Sequence, residues 1–317
     1  MAARRMAVIC LLVCLCLHWV PCRAGAVSTA DAVEPITPET SCSLTLSYTC
    51  SGIAFENLPV KLYRVASVSA EAQYTLTPSF QASGLELEGI QTAGEWDVVR
   101  SSLEAHILAE GIAPDYESAT NAEGLSRFES LMPGIYLVAA AQAAQNGWFY
   151  SFRSALIALP GLDEGGLWIY DVTASPKPEA LPPDETEELE FRVVKLWNDI
   201  GNESLRPVSI LVELFRNGES YEIVTLSQEN NWSYSWTVPA DGASWIVAER
   251  HIPKGYTVTV EVRSNTFILT NSIPHDSTSD NPKTGDSSNI LWAVVLMNLS
   301  GLGLIAMGLF GKRLKYE

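Results

Sequence analysis

Positive charge is scarce in this chain. Its 317 residues hold 20 Lys plus Arg against 37 Asp plus Glu, a formal net charge of −17. Nucleic acid is therefore excluded as a partner, because phosphates demand basic patches. An acidic surface suits solvated extracellular exposure. Cysteine is scarce where a scaffold would need it. Four of the six, Cys10, Cys14, Cys16 and Cys22, fall in the first 22 residues, leaving only Cys42 and Cys50. A disulfide framework cannot hold the remainder together. His18, His106, His251 and His275 have no partners at ligand spacing, so no metal site is expected. A phosphate-cradling glycine loop, a Cys-x-x-Cys pair and a His-Glu-x-x-His helix are also missing. Neither a cofactor nor an enzymatic turnover is expected. Helical periodicity is confined to one stretch, whereas Tyr, Trp, Thr and Val are plentiful, so β structure should dominate.

Long apolar runs occur at the two ends. Residues 1–26 read as a secretory signal peptide: Arg4 and Arg5, an apolar run from Met6 to Val20, then Ala24-Gly25-Ala26 as a small-x-small cleavage site. A Pro/Thr/Glu-rich disordered leader is expected over 27–40. Residues 290–311 hold no charge. At about 1.5 Å per residue they cross the roughly 30 Å hydrocarbon core as one helix. Lys312, Arg313 and Lys315 follow in a tail, 312–317, that the positive-inside rule places in the cytoplasm.

Between the ends the sequence predicts two tandem β-sandwiches. In the first, 41–177, Leu44, Leu46 and Tyr48 alternate with Ser43, Thr45 and Ser47 as a half-buried strand. Strands follow at 60–68 and 73–80, and later at 134–139, 148–159 and 167–173. Residues 95–109 form a helical insertion with Trp96, Val99, Leu103 and Ile107 on one face and Gly111 as a stop. Residues 178–188, rich in proline and acidic residues, read as an extended linker. In 189–273 seven short strands argue for an immunoglobulin-like sandwich. Cys42 and Cys50 lie about 27 Å apart if their segment is fully extended, beyond disulfide reach. Two readings stay open: a disulfide if the segment bends, or two free thiols.

The second sandwich carries the chemistry. Phe191, Val193, Lys195 and Trp197 share one strand face; Trp245, Val247 and Glu249 share another; Phe267, Leu269 and Asn271 share a third. Each apolar row holds one polar residue where the core should lie, which is expensive unless compensated. Desolvation pushes both a lysine and a glutamate toward neutrality. A neutral amine is a nucleophile, and a protonated carboxylic acid can hydrogen-bond an amide oxygen and move protons. Those are the requirements for a lysine–asparagine isopeptide bond with loss of ammonia. A buried Lys195–Glu249 ion pair is the alternative from alternation alone.

Several segments resemble known families. Lys195-Leu-Trp197, Arg206-Pro207, Asn231-Trp232, Glu249-Arg-His-Ile-Pro-Lys-Gly-Tyr256 and Leu269-Thr-Asn271 resemble the collagen-adhesin B-type (Cna-B) domain. The resemblance implies Lys195 as nucleophile, Asn271 as acceptor and Glu249 as proton relay. Leu62-Tyr-Arg-Val-Ala66, Leu131-Met-Pro-Gly-Ile-Tyr-Leu-Val138 and Trp168-Ile-Tyr-Asp-Val172 resemble the N-terminal domain of Gram-positive pilins. The run from Trp168 to Pro176-Lys177 is similar to the pilin motif, with Ala174 and Ser175 replacing Val and Tyr; it implies Lys177 as the amine that accepts the next subunit. Asn281, Pro282, Lys283, Thr284 and Gly285, in the spacer 274–289 before the apolar run, resemble a cell-wall sorting signal, with Asn281 where Leu is usual. It implies cleavage between Thr284 and Gly285 by a sortase.

The expectation is thus an exported, cell-wall-anchored structural protein. It is a pilin or pilin-like subunit joined through Thr284 to peptidoglycan or to neighbouring pilin subunits, and held only transiently in the membrane. The alternative is a monomeric wall-anchored adhesin whose first domain binds a host extracellular ligand on a Cna-B stalk.

Overall fold

The computed structural model describes residues 34–163, 165–182 and 187–273. The expected signal peptide, the 281–285 motif, the 290–311 span and the basic tail lie outside the described residues. Among the described residues no helix is long and apolar enough to cross a membrane.

Alternation of apolar and hydroxyl residues builds β1 (Cys42–Ser47), which buries Cys42, Leu44 and Leu46 and half-covers the residues between. A short hairpin, β2 (Thr49–Cys50) and β3 (Ile53–Ala54), leads to β4 (Pro59–Val68), β5 (Tyr74–Leu76), the single-turn α1 (Pro78–Gln81) and the long α2 (Ala93–Glu110). Then come β6 (Tyr116–Ala119), β7 (Leu125–Leu131), β8 (Gly134–Ala140), β9 (Ala143–Gln145) and β10 (Trp148–Phe152). β11 (Ala155–Leu159), β12 (Gly161–Leu162), β13 (Trp168–Ile169), β14 (Asp171–Ala174) and β15 (Pro178–Leu181) complete the first half. One layer runs β14-β1-β7 and the facing one β11-β8-β4-β5. Leu44, Leu46, Tyr48, Leu62, Tyr136 and Val138 fill the space between.

β4 and β8 have buried residues on both faces. Their second face carries Tyr63, Val65, Ile135 and Leu137 and is covered by Trp96, Val99, Leu103 and Ile107 of α2, the stripe predicted from the sequence. Thr92 and Glu95 close a capping box at the start of α2, and Gly111 ends it in the left-handed conformation.

The second half contains β16 (Glu188–Asn198), β17 (Ser209–Arg216), β18 (Glu219–Ser227), β19 (Ser233–Pro239), β20 (Trp245–Arg250), β21 (Thr257–Arg263) and β22 (Thr266–Ser272). All seven expected strands are present. They form sheets β19-β16-β22-β21 and β18-β17-β20. The first and last strands, β16 and β22, lie side by side and parallel, with Lys195 opposite Leu269 and Trp197 opposite Asn271.

Several expectations change. The helix is not an appendage of the first sandwich alone. Its other side presents small residues to the second: Ala105 joins that core, and the Ser102 hydroxyl accepts the backbone N–H of Val260 at 2.8 Å. The Ala109 carbonyl near its end accepts from Arg250 at 3.3 Å. β20 and β21, on which it rests, are edge strands of their two sheets. An edge N–H buried here needs such a partner. The strand expected at 73–80 stops at Leu76 because Pro78 opens a helical turn. The 148–159 strand is two, because the chain leaves its pairing with β9 and β15 and joins β8. The expected linker begins instead as β15, antiparallel to β10. The leader is docked from residue 34 onward, with Ile36 buried and its N–H bonded to the Ala70 carbonyl at 2.9 Å. Cys42 and Cys50 are free thiols; β1 runs extended between them, as the distance argument requires for unpaired cysteines.

Candidate functional site

Lys195 of β16 and Asn271 of β22 project from one sheet into the second core, and Glu249 of β20 projects from the other. Lys195 and Glu249 have fully covered side chains, and Asn271 is 0% exposed. The Lys195 Nζ lies 3.2 Å from Glu249 Oε2. Asn271 Nδ2 donates to Glu249 Oε1 at 3.0 Å, and Lys195 Nζ reaches the Leu269 carbonyl at 3.5 Å. Glu249 thus bridges the other two. The Asn271 Oδ1 is buried without a hydrogen-bond partner. An orphaned buried acceptor is costly and marks a place where a proton can be delivered.

Burial sets the protonation of this group. It lowers the Lys195 amine to about 8, against the attraction of Glu249 and Asp199. It raises the Glu249 carboxyl, against the attraction of Lys195 and the hydrogen bond from Asn271. Transfer of a proton from Lys195 to Glu249 therefore removes two buried charges together. The resulting amine and acid can attack an amide carbonyl and protonate its oxygen.

One end of the core is closed by residues given no chemical role by the sequence reading. Asp199, 1% exposed, accepts from Arg206 Nε at 2.9 Å and Nη2 at 2.5 Å, and from the Tyr256 hydroxyl at 2.7 Å. The Arg206 hydrogen bond holds the Asp199 carboxyl below the usual range. Trp197 meets Trp232 and Tyr256 edge-on, each at 5.3 Å between centroids. The signal was available: Asp199 continues the inward phase of Lys195 and Trp197. Glu213 was also missed. It is 2% exposed on the outer side of β17 and pairs with Arg250 beneath α2.

The other predicted residues lie apart from this group. Lys177 is exposed in the short connection between β14 and β15. Cys42 is buried in the first core, where burial pushes its thiol up to about 11. Among the described residues no cluster of His, Cys, Asp and Glu could hold a metal ion.

Residues 191–272 match the family model described as the Cna protein B-type domain, a span containing Lys195, Glu249 and Asn271. The chain is 28% identical over 156 residues to a collagen adhesin of Staphylococcus aureus. That stretch is 43% of this chain but only 13% of the adhesin's length. Similar solved structures include a single B repeat unit of the collagen-binding surface protein of Staphylococcus aureus. It shows 18% identity and a TM-score of 0.26, covering 74% of this chain and 99% of that one. The full-length major pilin SpaD from Corynebacterium diphtheriae shows 14% identity and a TM-score of 0.29, covering 75% and 65%. The resemblance to the Cna-B domain read from the sequence is thus borne out for residues 191–272.

Proposed function

We propose that this chain is a structural surface protein of pilin-like or adhesin-stalk kind, whose second sandwich locks itself with an isopeptide bond between Lys195 and Asn271. The observation that carries the reading is the fully buried Lys195–Glu249–Asn271 group, with its unpartnered amide oxygen. Lys195 passes a proton to Glu249 and its neutral Nζ attacks the Asn271 Cγ. Turning the amide about its bond exchanges Nδ2 and Oδ1, so the protonated Glu249 donates to the oxygen as the carbonyl opens. Glu249 then carries the amine's second proton to the leaving nitrogen and takes back the hydroxyl proton as the carbonyl re-forms. The Nζ–Cγ bond forms, the Cγ–Nδ2 bond breaks, and ammonia departs. Because the two residues sit on the first and last strands of the domain, tension along the chain would meet a covalent link instead of sliding strands.

The terminal motifs complete the proposal. Export by residues 1–26 and transfer of Thr284 by a sortase would join the protein to peptidoglycan or to the next subunit. Lys177 is exposed and free to serve as the accepting amine. Intact mass tests the bond: the chain should be one ammonia lighter than its sequence, and Glu249→Ala should restore the full mass. A wild-type chain of full mass would defeat the reading. The subunit role has its own readout. Wall extracts of the source cells should show a ladder of multimers that Lys177→Ala abolishes; an unchanged ladder rules out Lys177.

A further inference from the structure

We propose that Asp199, Arg206 and Tyr256 form a positioning lid that fixes Trp197 against the Lys195 amine and keeps water from it while the bond to Asn271 forms. The inference rests on the isopeptide reading above and adds what controls that site. The three residues come from separate stretches, after β16, before β17 and before β21, and meet where β16 and β22 end. The Lys195 Nζ lies 4.6 Å from the centre of the Trp197 ring, and the Arg206 guanidinium lies 5.8 Å from the same ring. The Trp197 indole N–H is buried with no hydrogen-bond partner. The ring is therefore placed by packing and not by a bond of its own, so its position depends on what holds its surroundings. Bidentate Arg–carboxylate contacts resist displacement in two directions, and the Tyr256 hydroxyl ties the third stretch to them.

The lid also acts on charge. Glu249, in contact with Lys195 from β20, and the nearby charge of Asp199 both favour its ammonium form. Arg206, with Glu203 beside it, and Tyr256 surround Asp199. Opposite Lys195 and Trp197, β22 presents only the uncharged Leu269 and Asn271. Removing the charge of Asp199 while leaving its shape should let Lys195 shed its proton more readily, yet loosen the ring. Rate and pH dependence then move in a way that simple loss of stability does not produce.

The full chain is collected unfolded from inclusion bodies, its full mass showing that the bond has not yet formed, dissolved in guanidinium, refolded by dilution into detergent buffers of graded pH, and weighed at intervals by mass spectrometry. The wild type should lose ammonia as it refolds. Asp199→Asn should refold but lose ammonia on the order of a hundredfold more slowly, the effect of a misplaced reacting group. The acid limb of its rate–pH profile should shift to lower pH. Tyr256→Phe, which keeps the ring, should slow the reaction less and leave that limb in place. If Asp199→Asn converts at the wild-type rate with an unchanged profile, these residues only cap the domain and the lid is overturned. Should Asp199→Asn fail to fold, Tyr256→Phe decides: a folded variant converting at the wild-type rate overturns the proposal. A wild type that never loses ammonia overturns the isopeptide reading itself and the lid with it, a result separate from failure in the variants.

Discussion

Replacing Glu249 with Gln removes the proton relay while keeping the size of the side chain and a hydrogen bond to Asn271. Two consequences can be sized. Without the bond, the stretch from Lys195 to Asn271 is no longer a closed loop in the unfolded chain. For a loop of roughly 80 residues the lost restriction is worth about 4 kcal/mol. The unreacted amine must also be buried. A shift from 10.5 to about 8 between unfolded and folded chain destabilises the fold by about 3 kcal/mol at neutral pH. The cross-link alone should lower the melting temperature by about 8–16 °C in a unit of this size, and the amine should add to that. The second part depends on pH. Between about 8 and 10.5 the unfolded chain holds a proton that the folded one has shed, so the stability of Glu249→Gln should rise with pH across that window. Loss of the Glu249 charge lowers the amine further, which extends the window downward. The cross-linked wild type should lack this rise, because its amide nitrogen does not titrate. Calorimetry at graded pH, with intact mass on the same samples, makes the measurement. Loss of ammonia from Glu249→Gln, or full mass combined with the wild-type melting temperature, would refute both the relay and the cross-link's contribution.

Ser102→Val should remove the partner of the buried Val260 N–H and destabilise the protein by about 1–3 kcal/mol, read as a shift in denaturant midpoint; an unchanged midpoint would mean α2 does not secure the β21 edge. Gly124→Ala should cost more than about 1 kcal/mol, because φ there is +74° and an added Cβ would lie 2.5 Å from the Tyr48 carbonyl oxygen; equilibrium unfolding checks it. Cys42 should resist alkylation at neutral pH in the folded chain and react after unfolding, since burial raises its thiol; rapid labelling of the native protein would contradict the buried position.

The sequence by itself determined the period and phase of the second sandwich. Alternation placed Lys195, Glu249 and Asn271 inside, because a strand shows its faces with a period of two. It also located the apolar stripe on α2 that covers β4 and β8. Only the tertiary structure decided which inward rows meet. Phase says that a side chain points into a core, but not which atoms lie opposite, so the bridging position of Glu249 and the contact of Asp199 with Arg206 and Tyr256 had to come from the fold. The small residues on the other side of α2 show the same limit. Ser102, Ala105 and Ala109 carry too little apolar weight to announce a buried face. Ser102 and Ala105 are buried and Ala109 half-buried because short side chains let the helix approach two edge strands closely and satisfy a backbone group there. That is a property of the pair of surfaces, which a pattern along one chain segment does not record.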